Sequence, residues 1–237
     1  MNKSLILREL STGYKHRTVA KHLNAEIRNG ELTCLLGKNG IGKSTLLRTL
    51  SASQPPLSGE VIFDNIKLFS LSDSERARLI SVVLTEKIDV QDLSLAEVVA
   101  IGRSPYTGFW GKLSRQDEKI VREAMQQVHI EDMATRMMAT LSDGERQKVM
   151  IAKALAQQTP IIILDEPTAF LDFPSKMEIM SLLRHLSSTM NKLIFLSTHD
   201  VDIAIQLADN LLFMDTEGIR PVSADELKQI ICYPLPQ

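Results

Sequence analysis

The sequence predicts an α/β fold with a mainly parallel β-sheet, an antiparallel β edge and an inserted helical subdomain. Short apolar runs of strand length, and a middle stretch in which helical spacing replaces them, carry this prediction. Four runs are apolar throughout or nearly so, as expected of parallel strands buried on both faces. These four are residues 32–36, 79–84, 161–164 and 193–196. Residues 5–7, 61–63 and 211–214 are the other three predicted strands, and the more alternating runs suit the antiparallel edge.

Helix starts are marked by a serine followed three residues later by a glutamate, so that side chains and backbone donors satisfy each other. The pairs are Ser72/Glu75, Ser94/Glu97, Ser142/Glu145 and Ser223/Glu226. Between about residues 86 and 158 no strand pattern occurs, and apolar residues follow helical spacing instead. We therefore expect a single domain over residues 1–237, in which 1–85 and 159–237 form the core and 86–158 the helical subdomain.

Composition excludes several classes of protein. The chain has 237 residues, of which 44% are hydrophobic and 24% charged, so it is expected to fold around a sizeable core. The formal net charge of −2 gives no overall attraction to nucleic acid, and no nucleic-acid partner is expected. The longest apolar stretches are much shorter than the roughly twenty residues of a membrane-spanning helix, and no secretion signal is evident. Two widely separated cysteines, Cys34 and Cys232, fit a reducing cytosol.

Residues 37–45 read GKNGIGKST and match the phosphate-binding pattern G-x-x-x-x-G-K-[ST] of P-loop NTPases. A predicted buried strand precedes the motif and an apolar helical run follows it, which is the context that the motif requires. Glycines let the backbone N–H groups converge on phosphates, and the helix N-terminus adds its dipole. Lys43 is expected to reach the outer phosphates, and Ser44 to offer a hydroxyl to Mg²⁺. The candidate nucleotide-binding residues here are Gly37, Asn39, Gly40, Gly42, Lys43, Ser44 and Thr45.

Two adjacent acids, Asp165 and Glu166, end the predicted strand at 161–164. Asp165 is expected to hold Mg²⁺ through water, and Glu166 to polarise the attacking water in phosphoanhydride hydrolysis. His199 follows another predicted strand, and from there it is expected to reach a γ-phosphate. The candidate catalytic residues are therefore Glu166, His199 and Lys43.

Residues 141–147 read LSDGERQ, and with them the chain resembles the ATP-binding subunits of ABC transporters over most of its length. In order, the matching elements are Tyr14 as the adenine-stacking aromatic, GKNGIGKST, LSDGERQ as the signature, ILDEP, an interface loop ending at Asp172, and the switch histidine His199. The resemblance implies that Ser142, Gly144 and Glu145 open a helix facing ATP held by a second subunit. It therefore implies a head-to-tail homodimer with ATP and Mg²⁺ as cofactors.

Three positions leave alternatives open. Tyr14 is either the adenine-stacking residue or a partly exposed loop tyrosine, and Lys38 replaces the proline common in the family. Aligned on the strand at 79–84, the family's glutamine falls at Thr85, which is too short to copy it. Glu86 serves instead through its carboxylate, or Gln91 swings in, or the position is dispensable.

Residues 94–113 resemble the start of the helical subdomain in importer subunits for iron-chelate siderophores, haem and cobalamin. The resemblance implies a peripheral protein on the cytoplasmic side of the inner membrane, partnered by permease subunits and indirectly by an external substrate-binding protein. The segment after Leu84 and the aromatics at 106–110 are expected to receive a permease helix, with arginine also suited to anchor it. The alternative interpretation of this segment is a loop with core-packing aromatics.

Two other functions remain as alternatives. A soluble ABC ATPase acting on nucleic acid or ribosomes is disfavoured because the chain has no coiled insertion, tandem copy or basic face. A regulatory module that binds ATP without hydrolysing it is supported only by Thr85, and the presence of Glu166 and His199 weighs against it.

Overall fold

The computed structural model describes residues 3–15, 17–84, 92–108 and 110–232, with the side chains of 231 and 232 left out. The strands within these ranges are β1 (Ser4–Tyr14), β2 (Arg17–Arg28), β3 (Leu32–Gly37), β4 (Ser58–Phe63), β5 (Ile66–Lys67), β6 (Ile80–Val83), β7 (Ile161–Asp165), β8 (Leu193–Ser197), β9 (Asn210–Met214) and β10 (Ile219–Pro221). The α-helices are α1 (Lys43–Leu50), α2 (Asp73–Arg76), α3 (Leu95–Ile101), α4 (Arg115–Gln127), α5 (Asp143–Ala156), α6 (Phe173–Thr189), α7 (Val201–Leu207) and α8 (Ala224–Cys232).

A six-stranded sheet with the order β10-β9-β3-β8-β7-β6 forms the centre of the protein. All neighbours pair in parallel except β10, which runs antiparallel to β9. Side chains of β3 alternate between two apolar clusters: Cys34 and Leu36 belong to one cluster, and Leu35 belongs to the other. Both faces of the sheet are therefore buried, which explains why its strands have continuous apolar sequences. The predicted mainly parallel α/β fold is confirmed.

A second, antiparallel sheet has the order β2-β1-β4-β5 and forms the predicted antiparallel part. All seven predicted runs lie in or overlap strands, but the sequence did not reveal β2, β5 and β10. β5 and β10 are too short to give a pattern. In β2 only Leu23 and Ile27 are buried, with half-buried Ala25 between them on the same face, and most of the other residues are exposed. The apolar pattern of β2 is therefore too sparse to predict a strand.

Helices α3, α4 and α5 follow one another with no strand between them in the described residues 92–160. The predicted capping boxes at Ser72, Ser94 and Ser142 are present, and Ser114/Asp117 adds another at the start of α4. Apolar side chains of these helices pack in one cluster with the side chains on one face of the central sheet. None of the helices in the described part of the chain has both the length and the apolar character that a bilayer crossing requires.

The segment after α3 contains a buried ion pair rather than a surface arginine. Arg103 is only 4% exposed, and its Nε lies 2.9 Å from Oδ1 of Asp117. The guanidinium of Arg103 is therefore used inside the subunit, and the exposed aromatic side chains of this segment remain the candidates for contact with a partner. Trp110 is 89% exposed, whereas Tyr106 packs its ring 4.1 Å from the Arg103 guanidinium.

We predict that Asp117→Asn lowers the free energy of unfolding by about 3 kcal/mol at pH 7, because it leaves Arg103 buried without its charge partner. The hydroxyl and amide of Ser114, with Arg103, hold the pKa of Asp117 at about 2. An acid with a lowered pKa stabilises the folded state above its unfolded pKa of about 3.9, and this contribution is lost as the pH falls towards 2. Urea unfolding at several pH values between 7 and 3 measures the free energy of unfolding of the wild type and the variant. The difference between these two free energies should become smaller below about pH 4.

Glu118→Gln, an exposed neighbour on α4, is the matched control and should change stability by less than about 0.5 kcal/mol. Equal effects of the two substitutions would contradict the role given to the ion pair.

Candidate active site

The loop between β3 and α1 leaves a helix N-terminus open to the cleft. Gly42 takes the N-cap position in a left-handed conformation with φ 117°, and no side chain caps the helix. A Cβ on Gly42 would lie 2.5 Å from Cγ1 of Val19, so glycine is required both by the backbone and by the contact. The first N–H groups of α1 have no side-chain acceptor at this N-cap and carry the positive end of the helix dipole. This end of α1 suits an anion such as phosphate.

Lys43 is the buried cation of the cleft. Its Nζ donates to the carbonyl oxygens of Gly37 at 2.7 Å and Lys38 at 3.2 Å, so the amine lies folded against its own loop. Burial lowers the pKa of Lys43, and the nearby carboxylates of Glu166 and Asp165 oppose this shift. The amine is thus placed between the loop and the two acids that end β7.

Strand register brings the acids to the loop. Asp165 pairs with Ser197 across β7 and β8, and Leu35 pairs with Ser197 across β3 and β8. The carboxyl ends of three parallel strands therefore meet at one edge of the sheet. Oδ1 of Asp165 accepts hydrogen bonds from Oγ of Ser197 at 2.7 Å and Oγ of Ser44 at 3.3 Å.

Glu166 is held from two sides. Its backbone has φ 48°, a conformation that residues with side chains rarely adopt, and its N–H donates to Oγ of Ser197 at 3.1 Å. Oε1 of Glu166 lies 2.5 Å from Nε2 of His199. Ser197 therefore positions both acids. The sequence did not indicate this role, because a serine at the end of a predicted strand is an ordinary feature.

A cavity of about 430 Å³ joins these groups. Of the sequence-predicted residues, its lining includes Asn39, Gly40, Gly42, Lys43, Ser44, Thr45, Glu166 and His199. Arg17 and Val19 of β2 also line it. The sequence analysis missed both because it did not recognise β2 as a strand. Gly37 and Asp165 lie just behind, as hydrogen-bond partners of lining residues.

Tyr14 ends β1 beside the start of α1. Its hydroxyl accepts a hydrogen bond from Nη1 of Arg48 at 3.2 Å, and the ring is 48% exposed. Hydrogen bonds from Thr45 and then Arg48 lower the pKa of the Tyr14 hydroxyl. Tyr14 is thus next to the cleft but not in its lining, so adenine stacking stays a prediction.

The signature residues Ser142, Gly144 and Glu145 lie at the start of α5 and outside the lining of this cleft. Glu145 completes the capping box, and Oε1 of Glu145 accepts a hydrogen bond from Arg136 at 3.0 Å. Hydrogen bonds from Ser142 and Arg136 lower the pKa of Glu145, the backbone N–H of Ser142 being the largest cause. Asp172 caps α6 through the N–H of Ser175.

Thr85, Glu86 and Gln91, the candidates for the family's glutamine position, lie outside the described residues, as does Phe109. In the part of the chain that is described, no group of three or more His, Cys, Asp or Glu side chains is arranged to hold a metal.

Comparison with protein families and curated proteins gives a consistent result. A family model described as "ABC transporter" matches residues 20–169. An uncharacterized ABC transporter ATP-binding protein of Methanocaldococcus jannaschii is 42% identical, over 89% of this chain and 72% of its own. The petrobactin import ATP-binding protein FpuD of Bacillus anthracis is 35% identical, over 92% of this chain and 80% of its own. The ferric enterobactin transport ATP-binding protein FepC of Escherichia coli is 37% identical, over 86% and 75% respectively.

Two solved structures are similar in fold. An inward-facing ABC transporter described as of metal-chelate type superposes with a TM-score of 0.82 and 27% identity, covering 95% of this chain and 84% of that chain. A dimeric, post-hydrolysis ATP-binding cassette, MJ0796, bound to ADP and Pi has a TM-score of 0.79 and 29% identity. That match covers 93% of this chain and 98% of that chain.

We predict that Ser197→Ala lowers kcat for ATP hydrolysis by about tenfold while KM for ATP changes little, because Ser197 orients the two acids rather than the phosphate loop. Ser187→Ala is the control, since Ser187 is an equally buried serine on α6 whose hydroxyl donates to Arg184 O. Steady-state kinetics and thermal melting of both variants separate turnover from stability. Equal turnover in the two variants would contradict the positioning role of Ser197.

Proposed function

The chain belongs to the ABC transporter family as an ATPase subunit, and we propose that it powers the import of an iron chelate through a membrane permease. One observation carries the ATPase part of this proposal. An uncapped helix N-terminus, a buried lysine and a glutamate next to a histidine meet in one cleft. These are the groups that phosphoryl transfer to water requires.

Hydrolysis is assigned to residues of this cleft. The N–H groups at the start of α1 and the Lys43 amine hold the phosphates and stabilise the negative charge that develops on them. Glu166 takes a proton from the attacking water as the water oxygen bonds to the γ-phosphorus. The bond between that phosphorus and the ADP oxygen breaks in the same step. His199, 2.5 Å from Glu166, orients this carboxylate and faces the γ-phosphate.

The cleft also fits Mg²⁺. A serine hydroxyl (Ser44) and a carboxylate oxygen (Asp165) lie 3.3 Å apart, and both are hard oxygen ligands. Mg²⁺ is usually held by one or two protein oxygens together with substrate phosphates and waters. When bound, the ion neutralises phosphate charge during transfer. Ser197 keeps the Asp165 carboxylate turned towards Ser44.

The working unit is proposed to be a head-to-tail homodimer. Ser142 and Gly144 open a helix but do not line the cleft of their own chain, so they are free to meet nucleotide held by a second copy. A solved cassette with 29% identity that is described as dimeric supports the dimeric state. Asp172, at the start of α6, is proposed to organise the same interface.

A permease is proposed to contact the face formed by α2, the start of β6 and the segment after α3. Tyr106 and Trp110 present aromatic surface there, and Nη2 of Arg78 donates to the carbonyl of Pro105 at 3.3 Å, which ties the segment to the core. Residues 86–158 are proposed to act as the helical subdomain that carries this contact. The protein would then sit peripherally on the cytoplasmic side of the membrane, and an external binding protein would deliver cargo.

The cargo proposal is supported by relatives named for petrobactin import and ferric enterobactin transport, and by the metal-chelate-type transporter. Haem and cobalamin are the other members of the class expected from residues 94–113.

We predict that Glu166→Gln lowers permease-stimulated ATPase activity at least about 100-fold but leaves ATP binding intact, because only the general base is lost. Wild-type and variant proteins are compared in vesicles with and without the partner permease, with vanadate as inhibitor. Uptake of a radiolabelled ferric siderophore, haem and cobalamin is measured in the same vesicles.

ATP-dependent uptake of the ferric siderophore, lost in the variant, is the expected result. Stimulation by DNA or ribosomes and not by the permease would contradict the transport proposal, and an active Glu166→Gln enzyme would contradict the base assignment.

A further inference from the structure

The C-terminal end of the signature helix α5 is fastened by hydrogen bonds from two directions. From the segment after α3, Nη1 of Arg103 donates to Ala156 O at 2.7 Å, and the Tyr106 hydroxyl donates to Gln157 O at 2.9 Å. The backbone of Gly102 approaches so closely that a Cβ there would overlap the carbonyl oxygen of Lys153. This end of α5 is therefore held firmly within the helical part of the protein.

From the other direction, the side chain of Gln157 reaches the core. Its Nε2 donates both hydrogens to backbone carbonyls, to Ala77 O at 2.6 Å and to Ile80 O at 3.0 Å. Ile80 begins β6 and pairs with Ile161 of β7, the strand that ends in Asp165. One half-buried carboxamide thus links the helix that carries Ser142 to the sheet that carries the cleft.

Because α5 is long, a small rotation at its Gln157 end produces a larger displacement at its Ser142 end. The helix has 14 residues, and at 1.5 Å per residue its two ends lie about 21 Å apart. A rotation of about 5° at the Gln157 end therefore displaces the Ser142 end by about 2 Å. A misplacement of about 1 Å is enough to impair a site that depends on near-contact geometry.

We propose that Gln157 is a positioning residue that sets the angle of α5 against the core and so the placement of Ser142 and Gly144 on the partner subunit's nucleotide. This proposal rests on the homodimer described under the proposed function. Gln157 does not line the cleft, so its proposed effect reaches the reaction through the helix.

Arg103 and Tyr106 fix the same helix end, and Arg78 ties their segment to the core. Thr159, two residues beyond Gln157, forms a hydrogen bond with Ser81 of β6. Gln157 differs from these residues because its side chain joins the end of α5 directly to the backbone at Ala77 and Ile80.

The test uses Gln157→Met, which keeps the length of the side chain but removes both donors, and Gln157→Lys, whose amine restores them. Gln127→Met, at an exposed glutamine on α4, is the matched control. All are made in the Glu166→Gln background, so that ATP is bound and not hydrolysed. Sedimentation gives the dissociation constant of the ATP-bound dimer, and a fluorescent ATP analogue gives nucleotide affinity of the monomer.

We expect Gln157→Met to raise the dimer dissociation constant about tenfold, with monomer affinity for ATP unchanged, and Gln157→Lys to recover most of the loss. Unchanged dimerisation, or a loss matched by Gln127→Met or accompanied by equally weakened ATP binding, would overturn the proposal. The dependence of ATPase rate on protein concentration, in chains with Glu166 intact, gives a second measurement with the same expectation. Neither assay contains a permease, so both results can be interpreted even if the transport proposal is wrong.

Discussion

The register of three parallel strands is the constraint on which the rest of the site depends. Ser197 is opposite Leu35 on one side and Asp165 on the other, so β7 and β8 end level and β3 continues two residues further, into the phosphate loop. This places the phosphate loop, the two acids and His199 around a single cleft, although they are spread over residues 37 to 199 of the chain. A shift of one residue in any pairing would turn Asp165 away from Ser44.

Much of this arrangement was predictable from the sequence, because glycine-rich loops, strand-end acids and serine caps are local signals. The seven apolar runs, the capping boxes and the family motifs belong to this kind, and the family model confirms the resemblance. The missed features depend on non-local packing. β2 was missed because only two of its side chains are buried, and with it Arg17 and Val19 of the cleft were missed. Arg103 has an unremarkable sequence context, and only the fold brings it to Asp117.

The chain divides its chemistry between two places that it does not itself bring together. Phosphate-binding and acid groups meet in the cleft, whereas Ser142 and Gly144 stand at the start of α5, outside the lining. The stiffness of α5 and its attachments at Ala156 and Gln157 make this second place rigid. In the proposed homodimer, hydrolysis would depend on how the helical parts are oriented, and a permease in contact with them would control the ATPase in this way.

In the proposed dimer, one chain's phosphate loop meets the other chain's α5. The direct measurement is ATP-dependent crosslinking between a Lys38→Cys chain and an Asp143→Cys chain, both carrying Glu166→Gln and with Cys34 and Cys232 replaced. Both new cysteines flank the site at exposed positions. The account predicts a crosslinked pair in the mixture when ATP is added and little product from either chain alone. Crosslinked product only in samples of a single kind of chain, or no crosslinked product in the mixture while ATP is bound, would contradict this arrangement.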